Sequence, residues 1–134
     1  MATTPISPEQ IFHSSLPVGT SLLVLFVPSK DRDGNPVEQQ FWVDENLTTI
    51  GKLFRGGTAY PRGRGVWRDD LRGGVLVIEE PVIVFSYFAS ELLTEAALHD
   101  LYKTLSRMGR ATNQGEVGVV LDGRYYGITQ YLEE

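Results

Sequence analysis

The run from Leu22 to Val27 is uninterruptedly apolar and of strand length, and it constrains the fold more than any other segment. Leucine, valine and phenylalanine fill every position. Such a run is typical of a central strand that is covered on both faces. The sequence therefore predicts a sheet in which this segment is an inner strand.

The length of 134 residues favours one hydrophobic core. We predict an irregular lead-in at 1–20, with one helical turn near Pro8–Phe12, and a single domain at 21–134. Cysteine is absent, which excludes disulfides and thiolate chemistry and fits a reducing compartment. The apolar runs are too short to cross a bilayer and no secretory signal is present, so we expect a cytoplasmic protein without membrane contact.

Two helices are predicted from apolar periodicity and end signals. The first begins at Asn35 as N-cap, with Pro36 at the first helical position, and ends at Gly56-Gly57. The second spans about Thr94 to Met108, with an apolar stripe that includes Leu98 and Leu101.

Further strands are predicted between and after the helices. A second strand begins at Thr58–Tyr60 and resumes at Val66–Trp67. A third runs from Val75 past Pro81 to Phe88, with the proline at a bulge or an edge. Asp122-Gly123 indicates a terminal hairpin between Val117–Leu121 and Arg124–Ile128.

This order predicts an α+β fold, a ferredoxin-like split β-α-β-β-α-β with a C-terminal β-hairpin and its helices on one face of an antiparallel sheet. The run Val82–Phe88 is apolar on both strand faces. We therefore expect the second sheet face to be covered by a homodimer.

The candidate site is a Gly- and Arg-rich stretch. Net charge is −5, yet six of the twelve basic residues lie between Lys52 and Arg72, against two acidic ones. Glycines let backbone N–H groups approach an anion, arginines supply paired donors, and aromatic rings can stack on a base. The predicted ligand-binding residues are Tyr60, Arg62, Gly63, Arg64, Gly65, Trp67 and Arg68. The spacing matches neither a P-loop nor a dinucleotide fingerprint.

Ordinary ion pairing explains the same residues differently. In that alternative the stretch is a distorted strand whose arginines pair with Asp69, Asp70 or Glu79. The same three carboxylates are the candidate catalytic groups, as acid and base or as oxygen ligands of a divalent cation. Glu79 and Glu80 point to opposite faces of a strand, so only one of them can join a given site.

No complete catalytic or metal signature accompanies these candidates. His13 and His99 have no serine or cysteine partner at a recognisable spacing, so no catalytic triad is predicted. We predict no resident metal and no cofactor. The segment Asn113-Gln114-Gly115-Glu116 either lines a pocket or caps the second helix, and capping is the more economical interpretation.

A resemblance covers the middle third of the chain. Gly57-Thr58-Ala59, Gly65-Val66-Trp67-Arg68-Asp69 and Glu79-Glu80-Pro81-Val82-Ile83-Val84-Phe85 resemble small bacterial proteins of unknown function. Those proteins share a Trp-Arg motif after a glycine-containing strand. The resemblance implies the ferredoxin-like fold and no particular activity.

Three functions follow from the sequence. The first is a binding module for an anionic, phosphate-bearing ligand, a nucleotide or a nucleic-acid end, held by the Gly–Arg stretch. The second is a small metal-dependent phosphodiesterase or nuclease. The third is a protein-interaction module without a small ligand.

Overall fold

The computed structural model describes residues 5–14 and 19–133. In chain order the elements are α1 (Pro8–Ile11), β1 (Ser21–Val27), α2 (Gln39–Phe54), β2 (Thr58–Tyr60), β3 (Gly65–Asp69), β4 (Val75–Glu79), β5 (Val82–Phe88), α3 (Glu95–Ala111), β6 (Val117–Leu121) and β7 (Arg124–Ile128). The strands form a five-stranded sheet in the order β2-β5-β1-β6-β7 and a separate two-stranded sheet of β3 and β4. All pairings are antiparallel.

The predicted α+β class with an antiparallel sheet is confirmed. β1 is the central strand, with β5 on one edge and β6 on the other. The helical turn predicted near Pro8 is also present as α1. Of the predicted lead-in, residues 1–4 and 15–18 lie outside the described residues, and the division at residue 20 stays a prediction.

The core lies between one face of the sheet and the helices α2 and α3. Leu23, Leu25 and Val27 of β1 are buried in it, together with Ile50 and Phe54 of α2. The alternate residues Leu22, Val24 and Phe26 point to the other face and are only half-buried. We call this second face the open face of the sheet.

The first helix begins later than predicted. α2 starts at Gln39 instead of Asn35. The Asp31 carboxylate accepts the backbone N–H groups of Asp33 and Asn35 instead, at 2.8 and 2.9 Å. These bonds form a compact turn at residues 31–35, which we call the Asp31 loop, and they leave Asn35 outside the helix.

The predicted second and third strands are wrong in their extent. Val66–Trp67 does not resume β2 but belongs to β3, which pairs only with β4. The predicted strand from Val75 to Phe88 is two strands, β4 and β5, which belong to different sheets. Pro81 lies between them, where its missing N–H breaks the ladder.

The remaining element predictions are confirmed. Thr94 caps α3 by accepting the backbone N–H of Ala97 at 3.1 Å. Asp122 and Gly123 both have positive φ, 51° and 83°, as a two-residue type I′ hairpin requires. Leu98 differs from the prediction, because it lies at the edge of the apolar stripe and is exposed.

No helix in the described ranges has both the length and the apolar composition to span a bilayer.

Candidate functional site: a cleft beneath the β3–β4 hairpin

The β3–β4 hairpin forms one wall of a cleft of about 230 Å³ on the open side of the sheet. We call it the hairpin cleft. Its lining residues are Phe26, Pro28, Gly65, Val66, Trp67, Glu79, Pro81, Gln114, Glu116, Val117, Gly118 and Tyr125. Phe26 comes from β1, while Glu116 and Tyr125 come from the entry to β6 and from β7. The cleft thus combines aromatic rings with two carboxylates.

The strand register places the side chains of Trp67 and Glu79 on one face of the hairpin. Gly65 is directly opposite Glu79, and Trp67 follows two residues later on the same side of β3. Gly65 adds no side chain to this face, and the Pro81 ring lies beside it. Trp67 and Glu79 can therefore both face the cleft.

Glu79 lies in an unusual environment for a carboxylate. Burial raises its pKa, while hydrogen bonds from the Trp67 side chain and the Ser29 backbone, with the nearby charge of Lys30, oppose the rise. Burial dominates, so the ionised form is stabilised less than in water. A partly buried carboxylate with this bias favours a cationic ligand, which would restore the lost solvation.

The opposite wall is built around two glycines. Gly118 and Gly127 are directly paired across β6 and β7. A Cβ at Gly118 would lie 2.7 Å from the Tyr125 hydroxyl, and one at Gly127 would overlap the Glu116 carboxylate. The Tyr125 hydroxyl donates to Glu116 Oε2 at 2.7 Å. Burial and the Glu116 carboxylate together raise the pKa of Tyr125 to about 12, so the hydroxyl stays protonated.

The three predicted anion-binding arginines do not form one site. Arg62 donates to the Gln39 side chain at 3.1 Å and lies 3.7 Å from Glu80. Arg68 pairs with Asp70 on the exposed face of the hairpin. Arg62 and Arg64 line a second cleft together with Lys30, Glu79 and Glu80, and Arg68 does not line it.

The aromatic residues of the Gly–Arg stretch are also separated. Trp67 lines the hairpin cleft, whereas Tyr60 packs edge-on against Phe85 on the open face, with ring centroids 5.3 Å apart. Gly63 approaches the chain itself: its N–H donates to the Pro81 carbonyl at 2.8 Å. Of the glycines in the Gly–Arg stretch, Gly65 lines the hairpin cleft.

The candidate carboxylates have three different surroundings. Asp69 is buried between Arg32 and Arg72, at 3.6 and 3.7 Å. Asp70 is exposed, and only Glu79 reaches the cleft. Within residues 5–14 and 19–133, no group of three histidine, aspartate or glutamate side chains could hold a metal ion.

Sequence reasoning missed part of the site. Gln114 and Glu116 combine the two roles weighed for their segment: the Gln114 amide donates to the carbonyls of Lys30 and Thr112, and both residues line the cleft. Tyr125 also lines the cleft and was not among the predicted site residues. The available signal was a glycine inside each of two adjacent strands, since such glycines often mark close approach to a backbone.

Solved structures share this fold. A phage SAM lyase in complex with S-methyl-5′-thioadenosine matches with a TM-score of 0.65 and 19% identity, over 90% of this chain and 98% of that one. A phage SAM lyase in the apo state matches with a TM-score of 0.60 and 18% identity, over the same shares of the two chains. No protein-family model matches the chain, and no curated protein does. The resemblance noted in the sequence agrees with these structures only at the level of the fold.

These structures also correct the predicted function. The predicted binding module for a phosphate-bearing ligand or a nucleic-acid end is wrong, because the two similar structures are lyases of S-adenosylmethionine (SAM), one of them in complex with S-methyl-5′-thioadenosine. The arrangement of charge agrees with the correction. The hairpin cleft carries two carboxylates, and the arginines lie elsewhere, two of them in ion pairs.

Proposed function

We propose that the chain binds SAM in the hairpin cleft and cleaves it to S-methyl-5′-thioadenosine. The observation that carries this proposal is that Trp67 and the partly buried Glu79 carboxylate both line one aromatic-lined cleft. The fold, which a SAM lyase shares over 90% of this chain, supports the choice of ligand.

The cleft matches the chemistry of SAM at two points. SAM carries a sulfonium and an α-ammonium group, and Glu79 supplies the opposite charge. Trp67 and Phe26 offer ring faces for the adenine or for the sulfonium, since cations are attracted to aromatic faces. A phosphate would meet two carboxylates here and would be repelled.

Cleavage needs no second reactant. The bond between the sulfonium sulfur and the amino-acid carbon breaks, and both electrons go to sulfur, which leaves as a neutral thioether. An oxygen of the substrate's own carboxylate bonds to that carbon and forms a lactone, so charge and atoms balance. This step brings opposite charges together, and a site that excludes water favours it. Glu79 would bind the α-ammonium group of SAM and so orient the amino-acid part of SAM for ring closure.

The test compares two ligands that differ in charge. Glu79→Gln should weaken SAM binding about 10- to 100-fold, the range of one lost charged hydrogen bond. It should leave S-methyl-5′-thioadenosine binding within about twofold, because that ligand carries no cation. Calorimetry measures both affinities, and chromatography measures thioadenosine release from SAM.

The matched control is Glu80→Gln, which removes an adjacent carboxylate that lies outside the cleft. We expect it to change neither affinity. A wild-type chain that neither binds nor cleaves SAM would refute the proposed function. An equal loss of both ligands in Glu79→Gln would refute the role given to Glu79.

We also propose that the sheet follows the ferredoxin-like plan. The strand order β2-β5-β1-β6 and the antiparallel pairings support it, since β1 and β5 are each followed by a helix. In this plan β3 and β4 are an inserted hairpin, and β7 extends the edge beyond β6.

A further inference from the structure

Glu116 and Tyr125 form a preorganised polar pair on the wall of the hairpin cleft that faces the β3–β4 hairpin. One carboxylate oxygen of Glu116 accepts the Tyr125 hydroxyl at 2.7 Å. Glu116 is exposed and Tyr125 is 58% exposed, so the pair contributes little to the core. Its position instead depends on two glycines in directly paired strands, which leave room for both side chains.

The space above these glycines is already occupied by the pair. The Tyr125 ring lies over Gly118, where any side chain would collide with it. The Glu116 carboxylate lies over Gly127 in the same way. Strand glycines cost stability, because they lose more backbone entropy on folding and bring no side chain to pack. Two of them opposite each other are explained if the pair has a role in binding.

The chemistry of the pair suits a sugar diol. A carboxylate accepts hydrogen bonds at two oxygens, and adjacent hydroxyl groups donate two. An acidic side chain on ribose hydroxyls is a recurring way to hold a nucleoside. The cation of SAM has a different partner, Glu79, on the hairpin wall of the same cleft.

We propose that Glu116, oriented by Tyr125, binds the 2′- and 3′-hydroxyl groups of the ribose of the adenosyl ligand. This inference rests on the proposed function and divides the cleft into two parts. Glu79 selects the cationic amino-acid end, and Glu116 selects the ribose. Tyr125 is a positioning residue that holds the Glu116 carboxylate toward the ligand.

The experiment uses the full chain and four ligands: SAM, S-methyl-5′-thioadenosine, and the 2′-deoxy and 3′-deoxy forms of the latter. Wild type should bind each deoxy form about tenfold more weakly than the parent thioadenosine. Glu116→Gln should weaken SAM and thioadenosine equally, by about tenfold, and should no longer discriminate against the deoxy forms. Glu79→Gln, by contrast, should weaken the binding of SAM and leave that of the thioadenosine nearly unchanged.

Tyr125→Phe tests positioning, with Tyr126→Phe as its matched control on the opposite face of β7. Tyr125→Phe should reduce the discrimination against deoxy ligands, which a merely structural role would not change. Tyr126→Phe should keep it. Circular dichroism and thermal unfolding confirm that each variant is folded.

The outcomes separate the two proposals. If wild type binds thioadenosine but binds the deoxy forms equally well, or if Glu116→Gln still discriminates, the ribose assignment is overturned and the proposed function stands. If wild type binds neither SAM nor thioadenosine, both fail.

Discussion

Glu79 was identified from the sequence as a candidate site residue, but its surroundings were not predicted. Sequence reasoning named it as one of three candidate carboxylates, because Asp69, Asp70 and Glu79 lie on either side of a predicted turn. The structure distinguishes the three: Asp69 is buried in an ion-pair cluster, Asp70 is exposed, and Glu79 faces a cleft. The prediction that Glu79 and Glu80 would not share a site holds for the hairpin cleft, which Glu80 does not line, but both carboxylates line the second cleft.

The free energy of unfolding should depend on pH in a way that reflects the raised pKa of Glu79. The folded state holds the proton more tightly than the unfolded state, whose pKa is near 4.5. Wild-type stability relative to Glu79→Gln should therefore fall as pH rises from about 4.5 through the folded-state pKa, and level off above it. Urea unfolding from pH 4 to pH 8 measures the difference, and a constant difference would contradict the burial of this carboxylate.

At the scale of elements, the β3–β4 hairpin carries the site without belonging to the main sheet. An ion-pair cluster holds its tip. Asp69 lies between Arg32 and Arg72, and Arg72 also pairs with Asp33 at 2.7 Å. The backbone N–H of Arg32 in turn donates to the Asn113 carbonyl, beyond the end of α3. The hairpin is thus tied to the Asp31 loop and through it to the domain.

Breaking this cluster should destabilise the protein. Asp69→Asn removes the negative partner of two arginines, one of them mostly buried, and we expect a loss of about 2–3 kcal/mol in the free energy of unfolding. Asp70→Asn removes an exposed carboxylate that pairs with exposed Arg68 and should cost at most about 0.5 kcal/mol. Urea unfolding compares the two, and equal losses would mean that the Asp69 cluster does not hold the hairpin.

At the scale of the whole molecule, the open face of the sheet stays largely apolar. Leu22, Val24 and Phe26 are half-buried there, and Tyr87 is 68% exposed. The prediction of a homodimer through this face stays a prediction, because the structure describes one chain. The hairpin cleft lies at one end of the same face and accounts for only part of it.

Light scattering at micromolar concentration tests the dimer. Wild type should have the mass of two chains, and Tyr87→Glu should have the mass of one, because a two-fold axis would bring two added charges close together. Leu71→Glu is the matched control, since it adds the same charge to an exposed apolar residue at the hairpin tip. A monomeric wild type would end the dimer proposal.

Local signals in the sequence determined most of the elements. The apolar run at Leu22–Val27 determined the central strand, Thr94 the start of α3, and Asp122-Gly123 the last turn. Each depends on backbone preferences or on the period of apolar residues, which act over a few positions. The start of α2 at Asn35 was wrong for a related reason, because Asp31 offered its backbone a competing set of hydrogen bonds.

Only the tertiary structure decided where the site lies. The Gly–Arg stretch was the conspicuous feature, but its arginines are directed to different neighbours, because alternation along β3 sends Arg68 to one face and Trp67 to the other. Glu116 and Tyr125 line the same cleft as Glu79, although they lie more than 35 residues further along the chain. No local pattern encodes this arrangement, since it depends on where the β3–β4 hairpin lies relative to the five-stranded sheet, to which β6 and β7 belong.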